Sequence, residues 1–109
     1  MNTVTIIGRV GQQPTLRYTT GNTAVCELSL AVDNPRTDEP EWIPVVTWGR
    51  TAEAVAEHVD KGRQIAVVGE LRVTTWQPDE GPKRHDLKVH AREVDFLARP
   101  RTSQDDKAA

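Results

Sequence analysis

Three tryptophans are the residues of this sequence whose chemistry and spacing point most directly to binding. Trp42 and Trp48 lie six residues apart in one apolar run, so the alternation of a β-strand would place them on the same face. Arg50 follows Trp48 closely, and Arg72 lies four residues before Trp76. Flat indole rings beside guanidinium groups suit stacking on nucleic-acid bases and pairing with phosphates. Packing of the same rings in a core is the alternative, and the residues alone leave it open.

The other reactive side chains do not form the pattern of an active site or a metal centre. The histidines His58, His85 and His90 and the single Cys26 lack the spacing of metal ligands. The sequence contains no phosphate-binding loop of the G-x-x-x-x-G-K-[ST] type, no G-x-S-x-G motif and no acid pair fixed by spacing. We therefore expect no enzymatic activity, no catalytic residue, no metal site and no cofactor.

The charge of the chain is unevenly distributed. Its 109 residues carry a formal net charge of −2, which counts against binding through bulk positive charge. From residue 61 to residue 101 the balance reverses, with nine Lys or Arg against six acids. A local basic surface is therefore compatible with the acidic total.

Length and composition bound the class of protein. A chain of this length with 37% hydrophobic and 28% charged residues predicts one globular domain with a modest core. No apolar run approaches the roughly 20 residues that a membrane-spanning helix needs. The N-terminus lacks the pattern of a signal peptide, and a single cysteine cannot form an intrachain disulfide. We expect a cytoplasmic location, with Cys26 as a small core residue.

The positions that could bind ligand fall on a series of short β segments. Val, Ile, Thr and Leu alternate between turn signals, and the predicted strands cover residues 2–10, 24–32, 41–48, 64–76 and 86–97, with a short extended piece at 15–19. Pro44 should lie at an edge or a bulge because proline donates no ladder hydrogen bond, and Gly69 predicts a bulge. Between the third and fourth strands, Thr51 is a candidate cap and Gly62 a candidate end for a short helix.

Five strands with one helix between the third and fourth predict an all-β fold, the five-stranded OB-fold barrel. Oligonucleotides bind that fold across the second and third strands, between the loops that follow the first and fourth. We assign residues 1–98 to this domain. Residues 99–109 have no apolar content to bury, and we expect them to form a disordered tail.

Three motifs in this chain match those of a known family. They are G-x-x-G-x-x-P-x-x-R-Y at residues 8–18, E-W followed by W-G-R-x-A-E at 41–53, and K-G-x-x-I-x-V-x-G-x-L at 61–71. With these spacings the chain resembles the bacterial single-stranded DNA-binding proteins, and the resemblance spans residues 2–97.

The resemblance implies a DNA-binding role for particular residues. Trp42, Trp48 and Trp76 would stack on bases, with Trp48 standing where the family often has phenylalanine. The basic residues that would contact phosphates or guide the strand are Arg9, Arg17, Arg50, Lys61, Arg72, Lys83 and Arg84. The family implies a sequence-independent, non-catalytic protein that coats single-stranded DNA in replication, repair or recombination. It also implies association with the nucleoid and a homo-oligomer, usually a tetramer of paired dimers, with a dimer as the smaller form.

The sequence departs from the family in three places. The loop at residues 34–40 lacks a tryptophan that many members carry, and Thr74 and Thr75 stand where basic residues are common. We expect weaker binding and a shallower salt dependence from the second change. The sequence ends Asp105-Asp106-Lys-Ala-Ala rather than in an acidic tip with Pro-Phe, so it does not predict recruitment of repair proteins through a tail.

Two other functions are weighed against DNA coating. A primosome-type OB-fold assembly factor would bind proteins as much as DNA; the short tail and Thr74–Thr75 favour it, and the three tryptophans oppose it. An OB-fold module that only binds proteins would pack Trp42, Trp48 and Trp76 in its interior. Alanine at these positions would then unfold the protein rather than weaken DNA binding.

Overall fold

The computed structural model describes residues 1–97, so the predicted tail lies outside the described residues. Its elements in chain order are β1 (Val4–Val10), β2 (Thr15–Tyr18), β3 (Ala24–Val32), β4 (Glu41–Trp48), α1 (Gly49–His58), β5 (Gln64–Trp76) and β6 (Arg84–Phe96). The short predicted piece at 15–19 is the strand β2, which pairs with the first residues of β3. In this part of the chain, no helix is long and apolar enough to cross a membrane.

The strands close into a barrel, which confirms the predicted OB-fold. The sheet order is β1-β5-β6-β4-β3-β2, and a further pairing of β1 with β3 closes the ring. Most neighbours are antiparallel; β4 and β6 run parallel and pair only at Val45↔Val89 and Val46↔His90. Pro44 precedes this short ladder, so its missing N–H falls outside it.

The core consists of the inward-facing alternate residues of the strands, closed by the helix. Leu30, Ile65 and Val67 are fully buried in the barrel, and Ala52 and Val55 cover it from α1. This packing stabilises a helix of only ten residues that would be marginal alone. Cys26 is also fully buried, as predicted, and burial raises the pKa of its thiol.

The predicted helix ends are wrong. Strand β4 runs directly into α1, which begins at Gly49, and Trp48 precedes it without a side-chain capping bond. Gly49 has a φ of 62°, a backbone conformation that residues other than glycine rarely adopt. This conformation turns the chain from strand to helix two residues before Thr51. The helix ends at His58, where the N–H of Val59 donates to the Val55 carbonyl, and Gly62 lies in the following turn.

The bulge predicted at Gly69 is present. The register of β5 with β6 shifts between Val68↔Glu93 and Gly69↔Ala91, which leaves Arg92 as the extra residue. A Cβ at Gly69 would lie 2.1 Å from the carbonyl oxygen of His90. Beyond this point β5 and β6 continue out of the barrel as an exposed two-stranded ribbon, residues 71–76 and 84–87.

Candidate nucleic-acid interface

The outer face of the barrel collects most of the residues proposed from the sequence. Residues directly opposite each other on neighbouring strands point to the same face. Arg9 lies opposite Ala31, which lies opposite Trp42. These three residues form one row across β1, β3 and β4.

A second row runs parallel to the first, from β2 to β4. Arg17 lies opposite Val25, and Val25 lies opposite Trp48. Trp42 and Trp48 share the outer face of β4, as strand alternation predicts, while Val45 and Thr47 point into the core. The sheet therefore presents two indole rings and two guanidinium groups on the same side.

All three tryptophans are exposed. The exposed fractions are 57% for Trp42, 38% for Trp48 and 45% for Trp76. A protein-only binding module was expected to pack these rings in its interior, and the structure does not do so. Their exposure leaves ring surface available for stacking on a base.

Trp42 lies at one end of the outer face of β4, against the loop between β1 and β2. A Cβ on Gly11 would come within 2.1 Å of the Trp42 ring, so the indole is seated directly on the backbone at this glycine. The N–H of Gly11 donates to the Ser29 carbonyl, which fixes the loop beside β3. One side of the Trp42 ring therefore packs against a loop that a backbone hydrogen bond holds in place.

Trp48 lies at the other end of β4 and is supported by a histidine. The Trp48 and His90 rings meet edge to face, with their centroids 4.5 Å apart and their planes at 63°. Burial lowers the pKa of His90, and the nearby Arg72 and Lys88 lower it further, while Glu70 acts in the opposite direction. The imidazole is therefore biased towards its neutral form beside the indole.

Trp76 lies at the end of the exposed ribbon, paired with a basic residue. It stands opposite Arg84, whose Cζ atom lies 5.8 Å from the centroid of the indole ring. Arg72 stands opposite Lys88 on the same face of the ribbon. The ribbon thus extends the outer face beyond the barrel with an aromatic ring and cationic side chains.

The remaining proposed residues are not on the sheet. Arg50 lies in the first turn of α1, Lys61 lies in the turn after it, and Lys83 lies in the loop that joins β5 to β6. All three are exposed. The described aromatic and cation–π contacts bring none of the three to a tryptophan.

Acidic residues also lie on this face, and sequence reasoning missed their position. Glu27 Oε1 is 2.7 Å from Arg17 Nη2 and 3.9 Å from Lys88 Nζ. Glu70 forms an ion pair with Arg72. Two of the proposed phosphate contacts are therefore already engaged by carboxylates in the free protein.

Lys88 and His90 were also not among the proposed site residues. Strand alternation could have identified them, because residues 86, 88 and 90 lie on the same face of β6 as Arg84. A concave surface connects Lys88 to the loop between β1 and β2, and it is lined by residues that include Gln12, Gln13, Ser29, Pro44 and Lys88. A nearby, mainly apolar cleft is lined by Trp42, Pro44, Leu71 and Leu87 among others.

The arrangement suits binding more than catalysis or metal coordination. Among residues 1–97, no group of three or more His, Cys, Asp or Glu side chains could hold a metal ion. The face offers flat rings, amides and cations, which together recognise stacked bases and a phosphate backbone.

The chain is similar to known proteins over nearly all of its described length. Residues 1–97 match the model of the single-strand binding protein family. A single-stranded DNA-binding protein of Clostridium perfringens is 36% identical over 99 residues, which cover 89% of this chain and 66% of that protein. The protein of the same name from Treponema pallidum is 33% identical, with 89% and 58% covered, so the chain spans less than two thirds of these two relatives. That of Thermosynechococcus vestitus is 34% identical, with 93% and 86% covered.

Proposed function

The chain belongs to the single-strand binding protein family, and we propose that it binds single-stranded DNA across its outer face without reading the sequence. Bases stack on Trp42, Trp48 and Trp76, because every base offers a flat face to an indole. The observation that carries the proposal is the exposure of all three rings on a surface that also holds basic side chains.

Phosphates are held by the cations on and around this face. Arg17 lies on the sheet in the same row as Trp48, and Arg72 lies on the ribbon that ends at Trp76. The wider set of proposed contacts adds Arg9, Arg50, Lys61, Lys83 and Arg84, all of which are exposed. Contacts of this kind fix the path of the strand but carry no sequence information.

The biological role follows from this mode of binding. A protein that covers bases and phosphates together prevents re-pairing and shields the strand from nucleases during replication, repair or recombination. We propose that it acts without catalysis and without a cofactor, as a homotetramer in the cytoplasm, associated with the nucleoid. Several binding faces in one oligomer would let a long strand wrap around it.

The test is a titration of the intrinsic tryptophan fluorescence with oligo-dT at low and high salt, beside an equal mass of duplex DNA. We expect strong quenching by the single strand, weaker binding at high salt and little response to duplex. A parallel titration with oligo-U measures the preference for DNA over RNA. If no single strand quenches the fluorescence at any salt concentration, the proposal is wrong.

A further inference from the structure

Carboxylates form ion pairs with cationic side chains of the proposed DNA-binding face in the free protein. One oxygen of Glu27 contacts both Arg17, at 2.7 Å, and Lys88, at 3.9 Å. Glu70 is paired with Arg72, two residues along the same strand. The fold places both carboxylates on the same face, since Thr15, Glu27, Val46, His90 and Glu70 lie in one row across the sheet.

These ion pairs are accessible to a competing anion. The side chains of Arg17, Glu27 and Lys88 are 60%, 45% and 40% exposed. Exposed ion pairs contribute little to stability, so a phosphate can replace the carboxylate at small cost. A displaced carboxylate nevertheless stays on the binding face, where it repels the bound strand.

We propose that Glu27 and Glu70 are internal competitors of the DNA phosphates, and that they set the affinity and the salt dependence of the site. Arg17, Lys88 and Arg72 exchange a carboxylate for a phosphate when DNA binds. The released carboxylates take up cations from solution, which offsets part of the counterion release that drives binding. The face is thereby tuned for a strand that is held less tightly and released more readily. This inference rests on the proposed function.

The test replaces Glu27 by glutamine, with Glu57→Gln as the matched control. Both substitutions remove one negative charge, but Glu57 lies on α1, outside the sheet. At low salt we expect Glu27→Gln to bind oligo-dT about three- to tenfold more tightly than Glu57→Gln, the range of one or two exposed ion pairs. The slope of log affinity against log salt should become steeper by about 0.7, the value for one additional phosphate contact on a single strand. Glu70→Gln should act in the same direction.

A combined variant separates competition from a general effect of charge. In an Arg17→Gln/Lys88→Gln background the competitor has no partners left, so the gain from adding Glu27→Gln should shrink to the part that comes from repulsion of the strand and be clearly smaller than in the wild-type background. A gain of the same size in that background, or weaker binding by Glu27→Gln because the carboxylate positions Arg17, would overturn the inference. If the wild type and Glu57→Gln bind no single strand at all, the proposed function itself is wrong. If both bind and Glu27→Gln equals the control, only the inference fails.

Discussion

Replacing Trp76 with alanine should weaken DNA binding without unfolding the protein. Trp76 lies at the end of the ribbon, in which residues 71–76 are all exposed. It is not among the hydrophobic residues that pack against the barrel core. Loss of stacking costs about 1–3 kcal/mol per base, a range already known for OB-fold proteins of the family to which this chain belongs. The expected loss of affinity is therefore about five- to 150-fold. Trp76 is exposed, and Arg84 lies over its ring with Cζ 5.8 Å from the centroid, so the lost cation–π contact should change stability by only about 0.5–1 kcal/mol.

A matched variant on the same ribbon sharpens this test. Val73 is 54% exposed and lies on the opposite face of β5 from Trp76, so Val73→Ala trims the ribbon without touching the proposed stacking surface. Affinity is measured by fluorescence anisotropy of labelled oligo-dT, and stability by thermal melting followed by circular dichroism. Trp76→Phe should recover part of the binding. The reasoning is refuted if Trp76→Ala binds like the wild type, or if Val73→Ala loses as much affinity.

Three further changes test the bulge, the histidine and the loop. Gly69→Ala should lower the melting temperature, because its Cβ would meet the His90 carbonyl oxygen at 2.1 Å; an unchanged melting temperature would contradict this close approach of the two strands. The pKa of His90 is lowered from its ordinary 6.5 by burial and by Arg72 and Lys88, so its contribution to stability should be complete above that pH and decline as pH falls below it. Urea unfolding between pH 5 and pH 7.5 should show a smaller acid loss in His90→Gln, and an equal loss would contradict this. Lys83→Gln should make the salt slope for oligo-dT shallower by about 0.7 and leave thermal stability unchanged; an unaltered slope would remove Lys83 from the proposed phosphate contacts.

The fold was predictable because its signals are local and mutually consistent. Alternating apolar residues bounded by turn residues predicted the strands in the correct order, and the buried face of α1 matched its apolar spacing. The helix start was missed for a local reason as well. Thr51 fits a capping rule, but the positive φ of Gly49 lets the helix begin directly after β4.

The site was predicted less completely, because contacts between strands depend on register. Alternation within β4 placed Trp42 and Trp48 on one face, and both are exposed there. The partners of the ribbon depend on the bulge at Arg92. Without it, continuation of the Ile65↔Phe96 register would set Trp76 opposite His85 instead of Arg84 and turn β6 to its other face. The proximity of Glu27 to Lys88 depends on two strand pairings, β3 with β4 and β4 with β6, and is not encoded in any short stretch of sequence.

The parallel join of β4 and β6 has a consequence for how the chain reaches its native state. This join consists of Val45↔Val89 and Val46↔His90, so it unites positions far apart in the sequence through very few residues. Bringing these two distant strands together costs loop-closure entropy before their contact forms. Two residue pairs provide little stabilising energy to offset that cost. Formation of the β4–β6 join should therefore be a late and slow step of folding. In the native state the amide hydrogens of this seam, like those of the equally short β1–β3 pairing, should exchange ahead of those in the long β1–β5 and β5–β6 ladders.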